Sequence, residues 1–115
     1  MTFVLAIALA CLASVHDGDT VTLCSGERVR LLDIDAPELA GSPRCKDRRK
    51  RASAWCDHRQ AVASRDALAA FLRTGPVRIE RKATDKYGRT LARLTVNGRD
   101  AGAYLVAGGF ARHWR

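Results

Sequence analysis

Three short stretches hold the chemistry of this chain: Asp17-Gly18-Asp19-Thr20, then Arg30-Leu31-Leu32-Asp33-Ile34-Asp35-Ala36-Pro37-Glu38, then Asp85-Lys86-Tyr87-Gly88-Arg89-Thr90. Carboxylates and arginines fall at turns and strand ends, which is the inventory needed to hold a hard cation and a phosphodiester together. Asp17-Gly18-Asp19 reads as a sharp turn in which Gly18 is free to adopt a positive φ and the flanking aspartates are held close by. Pro37 biases Ala36 to an extended backbone and so orients the Ala36 carbonyl beside the neighbouring carboxylates. Asp33 stands one pleat before Asp35, and strand alternation predicts both on the same face, where Asp33 adds negative charge or a ligand. Taken alone, Asp-Gly-Asp is ordinary turn composition, and its weight comes from the two stretches that follow.

These residues need a scaffold. Thr20 to Cys24 and Glu27 to Leu32 are strand-like runs joined by Ser25-Gly26, a predicted two-residue hairpin turn. Asp57 followed by Gln60 marks a helix start, with Ala61, Leu68, Phe71 and Leu72 on one face and Gly75-Pro76 as the stop. Val77 to Arg81 and Leu91 to Val96 are two more strands, and Asp100 caps a short helix through Tyr104 and Leu105 ending at Gly108-Gly109. Between the acidic turn and the long helix, Gly41 to Ser53 is predicted to be an exposed loop, rich in Arg44, Lys46, Arg48, Arg49, Lys50 and Arg51. The fold class is α+β, mainly β, with a curled antiparallel sheet and one helix before the fourth strand.

The order and spacing of the three stretches resemble the staphylococcal nuclease (thermonuclease) family, from about Val15 to about Ala111. The resemblance implies a five-stranded OB-fold barrel, a scaffold that often carries oligonucleotide sites. It implies a calcium site at Asp19, Asp35 and the Ala36 carbonyl, an all-oxygen set completed by water. The family pattern has Thr where this chain has Ala36. By the same resemblance Glu38 is the candidate general base, Arg30 and Arg89 grip the phosphate with planar forks, and Lys86 and Tyr87 contact the phosphate and sugar of the substrate. The family's paired tyrosines are replaced by Arg112-His113-Trp114-Arg115, which leaves Trp114 as a stacking surface for a base. Arg48, Arg49 and Arg51 are expected to touch phosphates outside the reaction centre. The expected activity is calcium-dependent hydrolysis of DNA and RNA leaving 3′-phosphates. The rival reading is an inactive OB-fold module that binds nucleic acid or protein.

Bulk properties bound the rest. With 115 residues there is room for a single domain of modest core, read as residues 14–115 and expected to be a monomer. Lys and Arg outnumber Asp and Glu by 20 to 12, a net charge of +8, so polyanions are the natural partners. Four cysteines in so short a chain indicate an oxidising compartment, with predicted bridges Cys45 to Cys56 across the basic loop and Cys11 to Cys24 across the Asp17-Gly18 turn. Zinc held by Cys45, Cys56 and His58 is the competing use of these thiols, but the spacing of a zinc knuckle is missing. Residues 1–13 read either as a signal segment or as the first strand: Phe3 to Ala13 is apolar and Ala8-Leu9-Ala10 has the small-x-small form, yet no basic residue precedes the run. A secreted or periplasmic protein without membrane insertion of the mature chain is the expectation.

Overall fold

The computed structural model describes residues 7–47, 49 and 54–114. Along them run β1 (Ile7–Ala10), β2 (Leu12–Asp17), β3 (Thr20–Leu23), β4 (Arg28–Leu31), β5 (Ile34–Asp35), α1 (Pro43–Lys46), α2 (His58–Leu72), β6 (Val77–Thr84), β7 (Thr90–Val96), β8 (Arg99–Asp100), α3 (Ala101–Ala107) and β9 (Arg112–His113). The main sheet has the order β1-β6-β7-β4-β3-β2 with β8 added beside β7, while β5 and β9 form a separate pair. All neighbours are antiparallel except β4 and β7, where Val29, Arg30 and Leu31 lie against Thr90, Leu91 and Ala92. That parallel seam joins the N-terminal meander to the C-terminal hairpin and curls the sheet into an OB-like, mainly β fold, the class expected. The strand count exceeds five because β1 and β8 extend the main sheet and β5 and β9 form a pair of their own.

Alternation makes the core. Val21 and Leu23, Val29 and Leu31, Val77 and Ile79, and Ala92, Leu94 and Val96 all point inward and are buried. The buried face of α2, Ala61, Ser64, Leu68, Phe71 and Leu72, closes one side of this core, and Ala101 and Leu105 of α3 complete it. The predicted caps are in place: the Asp57 carboxylate accepts from the Gln60 N–H at 3.1 Å, and the Asp100 carboxylate accepts from the Ala103 N–H at 2.8 Å. Both predicted disulfides form, Cys11 with Cys24 and Cys45 with Cys56, at Cα separations of 5.4 and 5.8 Å. By loop-closure entropy each contributes about 2–3 kcal/mol.

Four expectations need correction. The β3–β4 connection is not a two-residue turn: Leu23 N–H bonds the Glu27 carbonyl, Gly26 N–H bonds the Leu23 carbonyl, and Gly26 has φ 91°, so Cys24, Ser25 and Gly26 form a three-residue loop with a left-handed glycine. The basic segment is not loop throughout, because Ser42 caps a helical turn over Pro43–Lys46. Gly18 is not among the positive-φ residues. Its lack of a side chain is needed for close approach instead, since a Cβ there would lie 1.8 Å from the Ser64 hydroxyl on α2 and 2.8 Å from the Ala36 Cβ. Asp33, finally, adopts φ 66°. This left-handed kink breaks the alternation, so Asp33 faces solvent and pairs with Arg93 at 2.6 Å, whereas Asp35 is buried.

Candidate nucleic-acid site

The ends of β2, β3 and β4, the chain from Glu38 to Arg44, and the β6–β7 turn surround an open cleft of about 860 Å³. Asp17, Asp19, Arg30, Glu38, Tyr87 and Arg89 all line it. Residues far apart in the sequence therefore meet at one place. Asp35 and Ala36 lie just beneath, at 1% exposure each.

Arg30 is the hub of the buried part. Its guanidinium donates to the Leu31 and Ile34 carbonyls at 3.2 Å each and lies 3.4 Å from Asp19 and 3.8 Å from Asp35. The Ala36 N–H also bonds Asp19, at 3.1 Å. Asp35 is gripped from the other side by Arg112 of β9, which donates twice to one carboxylate oxygen at 2.8 and 3.1 Å and stacks on Trp55. The second Asp35 oxygen, Oδ1, is buried without a hydrogen bond. Asp17 is buried beside Asp19, and burial, then the Asp19 charge, push its carboxyl up to about 8.

Arg30 and Arg112 face the charges of Asp19 and Asp35, yet one Asp35 oxygen stays buried without a hydrogen bond, and such an oxygen suits a hard cation. The donor set thus fits calcium in kind. Among the described residues, however, no group of three or more His, Cys, Asp or Glu side chains is already gathered to hold a metal.

The β6–β7 turn presents Arg89. Asp85 N–H bonds the Arg89 carbonyl, and Gly88, at φ 81°, closes the turn in the manner of Gly26. The Asp85 carboxylate accepts from the Tyr87 and Arg89 N–H groups and from the Arg89 guanidinium, at 2.8–2.9 Å. Desolvation acts to raise the Asp85 carboxyl, but these donors outweigh it and hold it below the usual range. Arg89 is thereby aimed along the Tyr87 ring, 5.6 Å from its centroid.

The Glu38 carboxylate accepts from the Ser42 hydroxyl at 2.6 Å and from Arg44 at 3.2 Å. Arg44, one of the basic residues of the Gly41 to Ser53 segment, lines the cleft while paired with Glu38. Of the other substrate-site candidates, Lys86 and Arg49 are exposed and do not line the cleft, and neither does the exposed Trp114, whose ring centroid lies 5.6 Å from the Arg30 guanidinium. Arg48 and Arg51 lie outside the described residues.

Sequence reasoning missed Arg28, His16, Ser42 and Arg65 on the cleft wall. For Arg28 a signal existed: it stands two residues before Arg30 on the same strand, hence on the same face, and its guanidinium donates to the Tyr87 carbonyl. Arg112 carried no local signal, because its partner Asp35 is distant in sequence.

Among the described residues no helix is long and apolar enough to cross a membrane. The two disulfides point to an oxidising environment.

Comparison with known proteins agrees with this geometry. The succinoglycan biosynthesis protein ExoI of Rhizobium meliloti (strain 1021) is 39% identical over 101 residues, covering 86% of this chain and 49% of the relative. Protein ParB of Escherichia coli is 37% identical over 88 residues, covering 72% of this chain and 39% of the relative. The chain thus spans half or less of the length of both relatives. Residues 28–115, which carry Arg30, Asp35, Glu38 and Arg89, match the family described as staphylococcal nuclease homologue, and the chain belongs to that family.

Proposed function

We propose that the chain is a calcium-dependent phosphodiesterase that cleaves DNA and RNA and leaves 3′-phosphates, working as a monomer in a secreted or periplasmic setting. The observation that carries this reading is the convergence of Asp17, Asp19, Arg30, Glu38 and Arg89 on one basic-walled cleft. Asp19, Asp35 and the Ala36 carbonyl would hold the cation, which when bound supplies charge neutralisation at the phosphate and polarises water.

The chain's own groups divide the remaining work. Glu38, kept in one orientation by Ser42 and Arg44, accepts the proton of the attacking water. Arg89 offers a guanidinium already aimed by Asp85, so little reorganisation is needed when charge grows on the phosphoryl oxygens. Arg30, half-buried and bonded to two carbonyls, binds from the floor of the cleft. Arg28 and Tyr87 extend the wall along which a strand lies, with Lys86, Trp114, Arg48, Arg49 and Arg51 as outlying contacts.

A second reading, a nucleic-acid-binding module without catalysis, draws support from one observation. Asp35 and Asp19 already have arginine partners, which partly satisfy the carboxylates that a metal requires. Incubating the protein with plasmid and single-stranded DNA, in calcium or in excess chelator, separates the two. Calcium-dependent cleavage is expected; full cleavage in chelator would overturn the calcium assignment, and retention of DNA without cleavage would establish the module.

A further inference from the structure

Glu38 is held by a short segment with few ties to the rest of the fold, among them the Ala40 N–H donating to His58 Nδ1 at 3.0 Å. The four-residue α1 buries none of its residues, and a single helical turn of that length does not persist alone. Yet this turn supplies both partners of Glu38, the Ser42 hydroxyl and the Arg44 guanidinium. Cys45, next to Arg44, ties the turn covalently to Cys56. Cys56 in turn pairs with Glu38 in an isolated parallel bridge, and the adjacent Trp55 carbonyl accepts the Glu38 N–H at 2.6 Å. The same disulfide therefore fastens both the platform under the Glu38 backbone and the groups around its carboxylate.

We propose that the Cys45–Cys56 disulfide is a latch that positions Glu38, with Arg44 as its positioning residue, so that the site is completed only where disulfides form. The proposal rests on the phosphodiesterase reading for its kinetic consequence but not for its structural one. Opening the latch breaks one S–S bond: two electrons and two protons pass from an added dithiol, which becomes a cyclic disulfide, and two thiols result. With the bond open, α1 loses its covalent tie and keeps the Ala40–His58 hydrogen bond upstream, so the two partners of Glu38 are no longer fixed. Misplacement of a reacting group by about 1 Å costs as much as 10²-fold in rate. Turnover is the quantity that falls, because the arginines that bind phosphate are fastened by Asp19, Asp85 and backbone carbonyls on other elements.

The test uses the Cys11→Ser/Cys24→Ser protein, in which Cys45–Cys56 is the one disulfide left, oxidised or reduced with dithiothreitol. Two readouts are taken: steady-state cleavage of single-stranded DNA with calcium, and hydrogen exchange at the Glu38 amide. Reduction is expected to lower kcat about 10- to 100-fold with KM within about twofold, to speed exchange at Glu38, and to be undone by reoxidation. Cys45→Ser/Cys56→Ser is expected to show the low kcat and to ignore dithiothreitol. Arg44→Gln is expected to lower kcat at unchanged KM, with partial recovery in Arg44→Lys. Equal kcat and equal Glu38 exchange in the two redox states would overturn the latch, as would a raised KM with intact kcat in Arg44→Gln, which makes Arg44 a phosphate contact. Redox-sensitive exchange in a protein that never cleaves would retain the latch and refute the phosphodiesterase reading instead.

Discussion

Replacing Gly18 by alanine adds one methyl group at the tightest point of the fold. The new Cβ would stand 1.8 Å from the Ser64 hydroxyl, 2.9 Å from the Ser64 Cβ and 2.8 Å from the Ala36 Cβ. Ordinary contact needs about 3.5 Å, so the turn and α2 must separate by roughly 1.5 Å to clear the fully buried Ser64. Overpacking of a well-filled interior costs about 1–3 kcal/mol, and three simultaneous clashes place Gly18→Ala at about 3 kcal/mol. In urea denaturation at neutral pH, with a slope of about 1.5 kcal/mol per molar, the midpoint should fall by about 2 M. Ser64→Ala removes the worst contact and also a buried hydroxyl that has no hydrogen-bond partner. In that background the cost of Gly18→Ala should drop to about 2 kcal/mol, a coupling of about 1 kcal/mol. A Gly18→Ala protein within 0.5 kcal/mol of the parent (about the spread of ordinary surface changes) would refute the close-approach explanation.

Other expectations concern the site itself. Arg89→Ala should lower turnover by roughly 10²–10³ with a smaller effect on binding, and lysine should restore little because a point charge lacks the two-pronged contact; steady-state kinetics beside the parent protein decide this. Glu38→Gln should cut turnover while leaving calcium and DNA affinity, measured by calorimetry, largely in place. Asp17, with its carboxyl raised to about 8 in the folded chain, binds a proton more tightly folded than unfolded, so between about pH 4 and 8 stability without calcium should fall as pH rises; Asp17→Asn should flatten that slope in thermal melts. Arg112→Ala leaves the buried Asp35 carboxylate short of its two hydrogen bonds, and the melting temperature in chelator should drop, with part of the loss restored by added calcium.

What could be read from the sequence was what neighbouring residues decide among themselves. The helix starts at Asp57 and Asp100 were legible because a cap is an interaction across three residues, and the strands β3, β4, β6 and β7 because strand-like runs bounded by turn residues are a local property. The disulfide pairs followed from which segments the turns bring side by side. The three acidic and basic stretches were likewise local, and their meeting at one cleft agrees with the order in which they occur. Tertiary structure decided the rest. Asp33 parts from Asp35 because a single left-handed residue turns the chain, and periodicity cannot foresee such a residue when it is not glycine. Gly18 is required by Ser64 of α2, Asp35 is satisfied by Arg112 of β9, and Arg44 rests on Glu38. The first two depend on how elements distant in sequence pack and the third on how one short segment folds back on itself, and no rule of charge or spacing states which arginine a carboxylate will find.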